Sequence, residues 1–183
     1  MRIHKLAFID TETTGLEPEK HELIEIGLIL AEQSLSPEKK IVLNMTEEWE
    51  VKIKPLHLES ADPESLIISH YNESDWANAV DLPEALLELS KKTEGAIMVG
   101  HNVAFDFAFL QKAFVETKVE NKMHYHKLDT ISIAFAKLYG QEEVEKFSLR
   151  ALCEYLGVEN KNAHTALSDA RATFLVFEKL MAL

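Results

Sequence analysis

Cysteine is nearly absent from this chain. The single thiol, Cys153, excludes an internal disulfide and leaves a thiolate zinc site short of ligands. It sits in LRALCEYLG, an apolar helical pattern, and reads as a buried core thiol rather than a nucleophile. Long apolar runs are missing too. None approaches the roughly 20 residues of a membrane-spanning helix, and the opening MRIHKLAFIDTETTG has neither the h-region nor the cleavage site of a secretory signal. The expectation is a cytoplasmic protein with no membrane partner. Basic residues are scarce: 19 Lys and Arg stand against 31 acids, a net charge of −12. That balance argues against a protein that coats long duplex by charge alone. It does not exclude nucleic acid, because an acidic cluster that binds divalent cations is locally far less negative once they are in place.

No repeat, low-complexity tract or linker divides the 183 residues, which suit one domain with a substantial core. Leu6–Ala7–Phe8–Ile9 reads as a buried strand, and ELIEIGLILAE (22–32) as a second. IVLNM (41–45) and WEVKIKP (49–55) read as a third strand with an irregular middle, a hairpin being the alternative. Short loops between these segments favour antiparallel neighbours. Weak helices follow near 63–69 and 83–92, then the short strand GAIMVG (95–100). Residues 102–117 are expected to be helical, with Asn102 as N-cap and Val103, Phe107, Leu110 and Phe114 as the apolar stripe. A short strand near YHKLDT precedes helices near 130–138 and 147–156. A last helix starts after Thr165 and buries Leu167, Ala170, Phe174, Phe177 and Met181. Three strands followed by alternating helices and strands predict one α/β domain with a mixed central sheet, its first three strands antiparallel, flanked by helices.

Several acids do not fit such a core. Asp10 and Glu12 close the first strand two residues apart, so both point to one face, about 6.6 Å apart along the chain. Carboxylates that close repel each other unless a cation lies between them; a solvated strand end is the alternative. Asp106 lies early in a helix between Phe105 and Phe107, and Asp169 in the first turn of the last helix, where the helix dipole alone could account for either. His164 precedes that helix, and His101, after Gly100, reads as a hydrogen-bonded structural histidine. Taken together, the four acids each lie at a strand end or a helix start, and such ends gather on one edge of an open α/β sheet. Four carboxylates and a histidine without thiols suit Mg²⁺ or Mn²⁺ rather than a closed zinc site.

The stretches FIDTETTGLEPEKHELIEIG, VGHNVAFDFAFL and HTALSDARAT resemble the three motifs of the DnaQ-like (DEDDh) 3′→5′ exonuclease family, which has a ribonuclease H-like fold. The resemblance runs from residue 5 to about residue 180 and makes 1–183 a single exonuclease domain. It implies that Asp10, Glu12, Asp106 and Asp169 hold two Mg²⁺ or Mn²⁺ ions, with Asp10 bridging, and that His164 is the general base. It also implies that Thr13, Thr14, Gly15 and Leu16 grip the 3′-terminal nucleotide and that Asn102 lies near the scissile phosphate. Capping of the helix is the other account of Asn102. Asp129, in LDT, reads as structural support.

DTETTGL resembles the proofreading branch of the family more than the oligoribonuclease branch. The expected partner is therefore a single-stranded 3′ end, DNA ahead of RNA, with association to a polymerase in trans; no stretch resembles a clamp-binding motif. An RNA-trimming exoribonuclease is the alternative within the family. A non-catalytic polymerase- or nucleic-acid-binding module is the alternative outside it, as is a hydrolase of small phosphoesters. His124, His126, Lys122 and Lys127, the one basic-leaning cluster, read as a solvated loop with backbone contact as the other reading.

Overall fold

A computed structural model describes residues 4–38, 41–160 and 164–183. Its centre is a five-stranded sheet in the order β3-β2-β1-β4-β5. β1 (Lys5–Thr13) pairs antiparallel with β2 (Leu23–Leu35), and β2 with β3 (Ile41–Lys52). β4 (Ile97–Gly100) runs parallel to β1, and β5 (Lys127–Asp129) parallel to β4. The mixed sheet with three antiparallel strands first is the one the residue pattern predicts. The hairpin alternative for 41–55 is not formed. β3 is continuous, and Thr46 is an extra residue where the register steps from Leu30↔Glu47 to Ala31↔Met45. Such a bulge is what an irregular middle looks like when both halves stay in one strand.

Alternation along β1 sorts the two faces of the sheet. Ala7 and Ile9 join Leu86 and Leu89 of α2 (Leu82–Lys92) and Phe109, Leu110 and Phe114 of α3 (Val103–Thr117) in one core. Leu6 and Phe8 face the other way and pack on Ala170, Phe174 and Phe177 of α6 (Ala166–Ala182). The Phe8 ring meets Phe174 and Phe177 edge-on at centroid distances of 5.2 and 5.3 Å. A third cluster joins the far side of α6 to α4 (Thr130–Lys137) and α5 (Leu149–Leu156) through Ala134, Leu152, Cys153, Val176 and Leu180. Cys153 is the buried thiol expected, its pKa pushed up to about 11 by burial.

Burial corrects two of the helix stripes. In α3 the buried line passes through Phe109, while Phe107 is half-buried beneath the Lys127 ammonium, 3.7 Å from its ring centroid. In α6 Met181 is 53% exposed, and Leu180 takes the inward place because this helix packs on two sides.

The cap of α3 also differs from expectation. Asn102 adopts a left-handed conformation, φ 64°, and its side chain makes no capping bond. The Asp129 carboxylate caps instead, accepting from the Asn102 and Val103 amides at 3.3 and 3.0 Å and from Ile131 at 2.8 Å. One acid thus serves the starts of α3 and α4, which explains the LDT segment as structural support.

α6 reaches the sheet through the backbone of β2. A Cβ on Gly27 would stand 2.1–2.3 Å from the backbone of Ala166 and Leu167, so only glycine lets the helix start lie flat on the strand. Gly27→Ala should therefore lower stability by about 1–3 kcal/mol, the usual range for overpacking. Thermal unfolding should show a drop of about 2–4 °C per kcal/mol, and an unchanged midpoint would mean that α6 docks differently.

Candidate active site

Parallel pairing puts the C-terminal ends of β1, β4 and β5 on one edge of the sheet, and there β2, running the other way, begins. Asp10 and Glu12 stand at that edge on the face covered by α6, since they share the alternation of Leu6 and Phe8. The start of α6 supplies Asp169 from its first turn. Ligand oxygens of Asp10, Glu12 and Asp169 all lie within 4.8 Å of one another. Asp106 stands outside this trio because it arrives from the opposite face, on α3. It is 3% exposed, and one of its oxygens accepts a 2.8 Å bond from the Thr11 hydroxyl. It is still close enough for its charge to act on Asp10 and Glu12.

Burial and mutual repulsion set the electrostatics. Asp10 is pushed well above the usual carboxylate range by burial, and then by Asp106, Asp169, Glu12 and Glu25. Glu12 is raised to about 8 by burial, then by Glu25, Asp169 and Asp106. Burial also lifts Asp106 to about 7, against the lowering hydrogen bond from Thr11. Acids held in this state ionise readily only when positive charge arrives, so the donor set fits a hard divalent cation. Asp10, Glu12 and Asp169, with Asp106 behind them, are the residues that would hold it.

His164 has an exposed side chain and a left-handed backbone, φ 68°, uncommon for a residue other than glycine. Its backbone N–H donates to Asp169 Oδ2 at 3.1 Å, and the Asn160 amide donates to Asp169 Oδ1 at 2.6 Å. The carboxylate five residues on thus turns back beneath the histidine. Thr165 stands at the N-cap without a side-chain capping bond. The Ala166 amide donates instead to Glu25 Oε1 at 3.2 Å.

Glu25 is missed by the motif reading. It is 2% exposed and pairs across the strands with Glu12, and burial raises its pKa while Lys52 and the Ala166 amide partly offset that rise. Its signal in the sequence is an acid inside the otherwise apolar ELIEIGLIL. Glu25 and Gly27, two residues apart on one face of β2, together seat the helix that carries Asp169.

The turn after β1 is braced from within. The Thr13 hydroxyl donates to the Gly15 carbonyl at 2.7 Å, and the Thr14 hydroxyl accepts from the Glu22 amide at 2.9 Å. The His21 ring lies where a Cβ on Gly15 would fall, 2.4 Å away. Leu16, by contrast, is 71% exposed, and Asn102 is exposed on the same edge, just past β4. His101 is half-buried with Nδ1 2.9 Å from the Thr130 hydroxyl, and its pKa is lowered by burial. The His124–Tyr125–His126 segment forms a ring stack on β5's approach, and Lys122 lies 3.8 Å from Glu94.

Fold and site define a ribonuclease H-like α/β domain with an acidic edge whose donor set fits a divalent cation. A family model described as exonuclease matches residues 7–177, and the chain belongs to the DnaQ-like 3′→5′ exonuclease family. It is 30% identical over 177 residues to the PolC-type DNA polymerase III of Caldanaerobacter subterraneus, covering 94% of this chain and 11% of that protein. It is 28% identical to the DNA polymerase III epsilon subunit of Treponema pallidum, over 94% of this chain and 74% of the subunit. It is 29% identical to ribonuclease T of Haemophilus influenzae, over 92% and 76%. The chain thus spans about a ninth of the PolC-type relatives (11%) and about three quarters of the other two (74% and 76%). Among solved structures, E. coli exonuclease I with a dA16 oligonucleotide superposes with a TM-score of 0.77 at 18% identity, over 98% of this chain and 41% of that one. That likeness establishes the fold.

The raised carboxylates predict a pH dependence with a defined sign. A carboxylic acid whose pKa is higher folded than unfolded binds more protons in the native state, so stability falls as pH rises between the two values. For Glu12 that window runs from 4.5 to about 8. For Asp106 it runs from 3.8 to about 7. With chelator, the unfolding midpoint should fall between about pH 5 and pH 8, on the basis of these linked protons. Millimolar Mn²⁺ should remove most of that fall by binding the ionised form. A midpoint at pH 8 that Mn²⁺ leaves unmoved would show that the acids hold no cation.

Proposed function

We propose that this chain is a divalent-cation-dependent 3′→5′ exonuclease that releases nucleoside 5′-monophosphates from single-stranded ends, DNA ahead of RNA. One observation carries the reading: in a chain of this family, Asp10, Glu12 and Asp169 converge on the sheet edge beside His164, whose backbone hangs on Asp169. Asp10, Glu12, Asp106 and Asp169 hold two Mg²⁺ or Mn²⁺ ions. When bound, such ions neutralise the phosphodiester and lower the pKa of a coordinated water. His164 accepts the proton of the attacking water with its exposed ring, imidazole being suited to proton exchange near neutral pH. Leu16 stands free to wedge against the terminal base, and Thr13, Thr14 and Gly15 fix the turn that meets the 3′-hydroxyl. The Asn102 side chain, not used in capping, is available to the phosphate.

The relatives named as DNA polymerase III proteins, and exonuclease I solved with dT13 and dA16 oligonucleotides, support DNA as substrate and a polymerase as partner in trans. Ribonuclease T among the relatives supports the second reading, an exoribonuclease. Matched DNA and RNA oligonucleotides separate the two by kcat/KM. Among the described residues no helix is long and apolar enough to cross a membrane.

Asp10→Ala should abolish turnover while the fold persists, because the packing of β1 lies in Leu6 to Ile9. Retained turnover would sink the assignment. His164→Ala should keep Mn²⁺ binding by calorimetry while kcat falls about 10²–10⁴-fold, the usual contribution of a positioned base; lost Mn²⁺ binding would make His164 a ligand. A site that hydrogen-bonds a terminal hydroxyl rejects ends lacking it by up to about 10⁴. Stepwise release of monophosphates from a linear single strand is therefore expected, with a closed single-stranded circle and a 3′-phosphate end resistant. Rapid cutting of the circle would overturn the exonuclease reading.

A further inference from the structure

We propose that Asn160 is a positioning residue that aims the Asp169 carboxylate and, through it, the histidine segment; the inference rests on the exonuclease reading of the site. Asn160 precedes α6 by six residues, outside the motif HTALSDARAT, yet its amide contacts two consecutive residues of the helix's first turn. Its Nδ2 donates to Asp169 Oδ1 at 2.6 Å, and its Oδ1 accepts from the Ser168 hydroxyl at 2.7 Å. The orientation of the amide follows from its partners. The NH₂ end faces the Asp169 carboxylate, and the carbonyl faces the Ser168 hydroxyl, which donates to it.

The other Asp169 oxygen accepts from the His164 amide at 3.1 Å. Asn160 and the His164 N–H therefore hold the carboxylate with one donor on each oxygen, and the backbone of the base is tied to the same group. A carboxylate that binds a cation needs such an orienting donor, and groups in this position commonly control metal affinity or rate by about 10–100-fold. The chemistry of the donor matters. A lysine here would supply the positive charge itself and compete with the cation, whereas a neutral amide fixes the geometry and leaves the charge to the ion. The pair is part-buried, which limits competition from water.

Asn160→Leu preserves size and removes the donor, and Asn160→Ala removes both. Mn²⁺ calorimetry, steady-state turnover of a single-stranded oligonucleotide and thermal unfolding are read on each. Both variants should bind Mn²⁺ about tenfold more weakly and lose about 10–100-fold in kcat, with KM for the oligonucleotide within about twofold and unfolding near wild type. Wild-type Mn²⁺ affinity and kcat in Asn160→Leu would overturn the proposal, since the side chain would then serve only to fill space. A loss confined to the unfolding midpoint would overturn it as well. If the wild-type protein turned over no nucleic acid, the exonuclease reading would fall, and the Mn²⁺ affinities of the two variants would still decide the role of Asn160.

Discussion

Repulsion among carboxylates gathered at one sheet edge is the constraint around which this protein is arranged. Asp10, Glu12, Asp106 and Glu25 are each raised by burial, and Asp10 and Glu12 further by the carboxylates around them, with Lys52 offsetting only the rise at Glu25. The partners it supplies nearby are mostly neutral: the Thr11 hydroxyl on Asp106, the Asn160 amide and the His164 N–H on Asp169, the Ala166 N–H on Glu25. Neutral donors fix where each carboxylate points and leave the charge available. Under the proposed function, a hard cation, and with it a phosphodiester, would complete what the chain leaves open.

The rest of the fold serves to hold those groups in place against that repulsion. Each face of β1 is packed by a different helix, α3 below and α6 above, so the strand end that carries Asp10 is fixed by two cores. α6 is in turn pressed from behind by α4 and α5. Close packing of this kind resists small displacements, and a site built on strands and helix starts inherits that stiffness. The exceptions lie where a substrate would enter: Leu16 projects from a turn whose hydroxyls face inward, and His164 and Asn102 both adopt left-handed backbone at the same edge. Such strained residues persist only where surrounding structure over-determines them, and they collect at functional sites.

Glu25 and Asp129 show how acids of different use are interleaved. Asp129 accepts from three backbone amides at two helix starts. Glu25 stands between the two uses: it anchors α6 through Ala166, and it adds its charge to Glu12 and Asp10. The difference follows from position, since Asp129 faces two helix N-termini and Glu25 faces another carboxylate across a strand pair.

The sequence by itself determined the order of elements, the antiparallel start of the sheet and the family, because alternation in β1 and β2 and three spaced motifs are local properties of the chain. It also marked Asp10 and Glu12, whose spacing on a strand fixes a common face. Tertiary structure alone decided the rest. Asn102 stands at a helix start yet its side chain makes no capping bond: its backbone is left-handed, and Asp129, 27 residues away, accepts from the Asn102 and Val103 amides. Asp106 and Asp169 look alike in the sequence, each an acid in a first helical turn, but they arrive from opposite faces, so Asp169 joins the oxygen cluster and Asp106 stands behind it. Glu25 acquires its partner only when α6 docks on β2, across 141 residues of chain, and Asn160 meets Asp169 only when the segment before α6 folds back on its first turn. Periodicity reports which way a side chain points along its own element. Which element it then meets is set by packing between segments distant in sequence, and no local pattern encodes that.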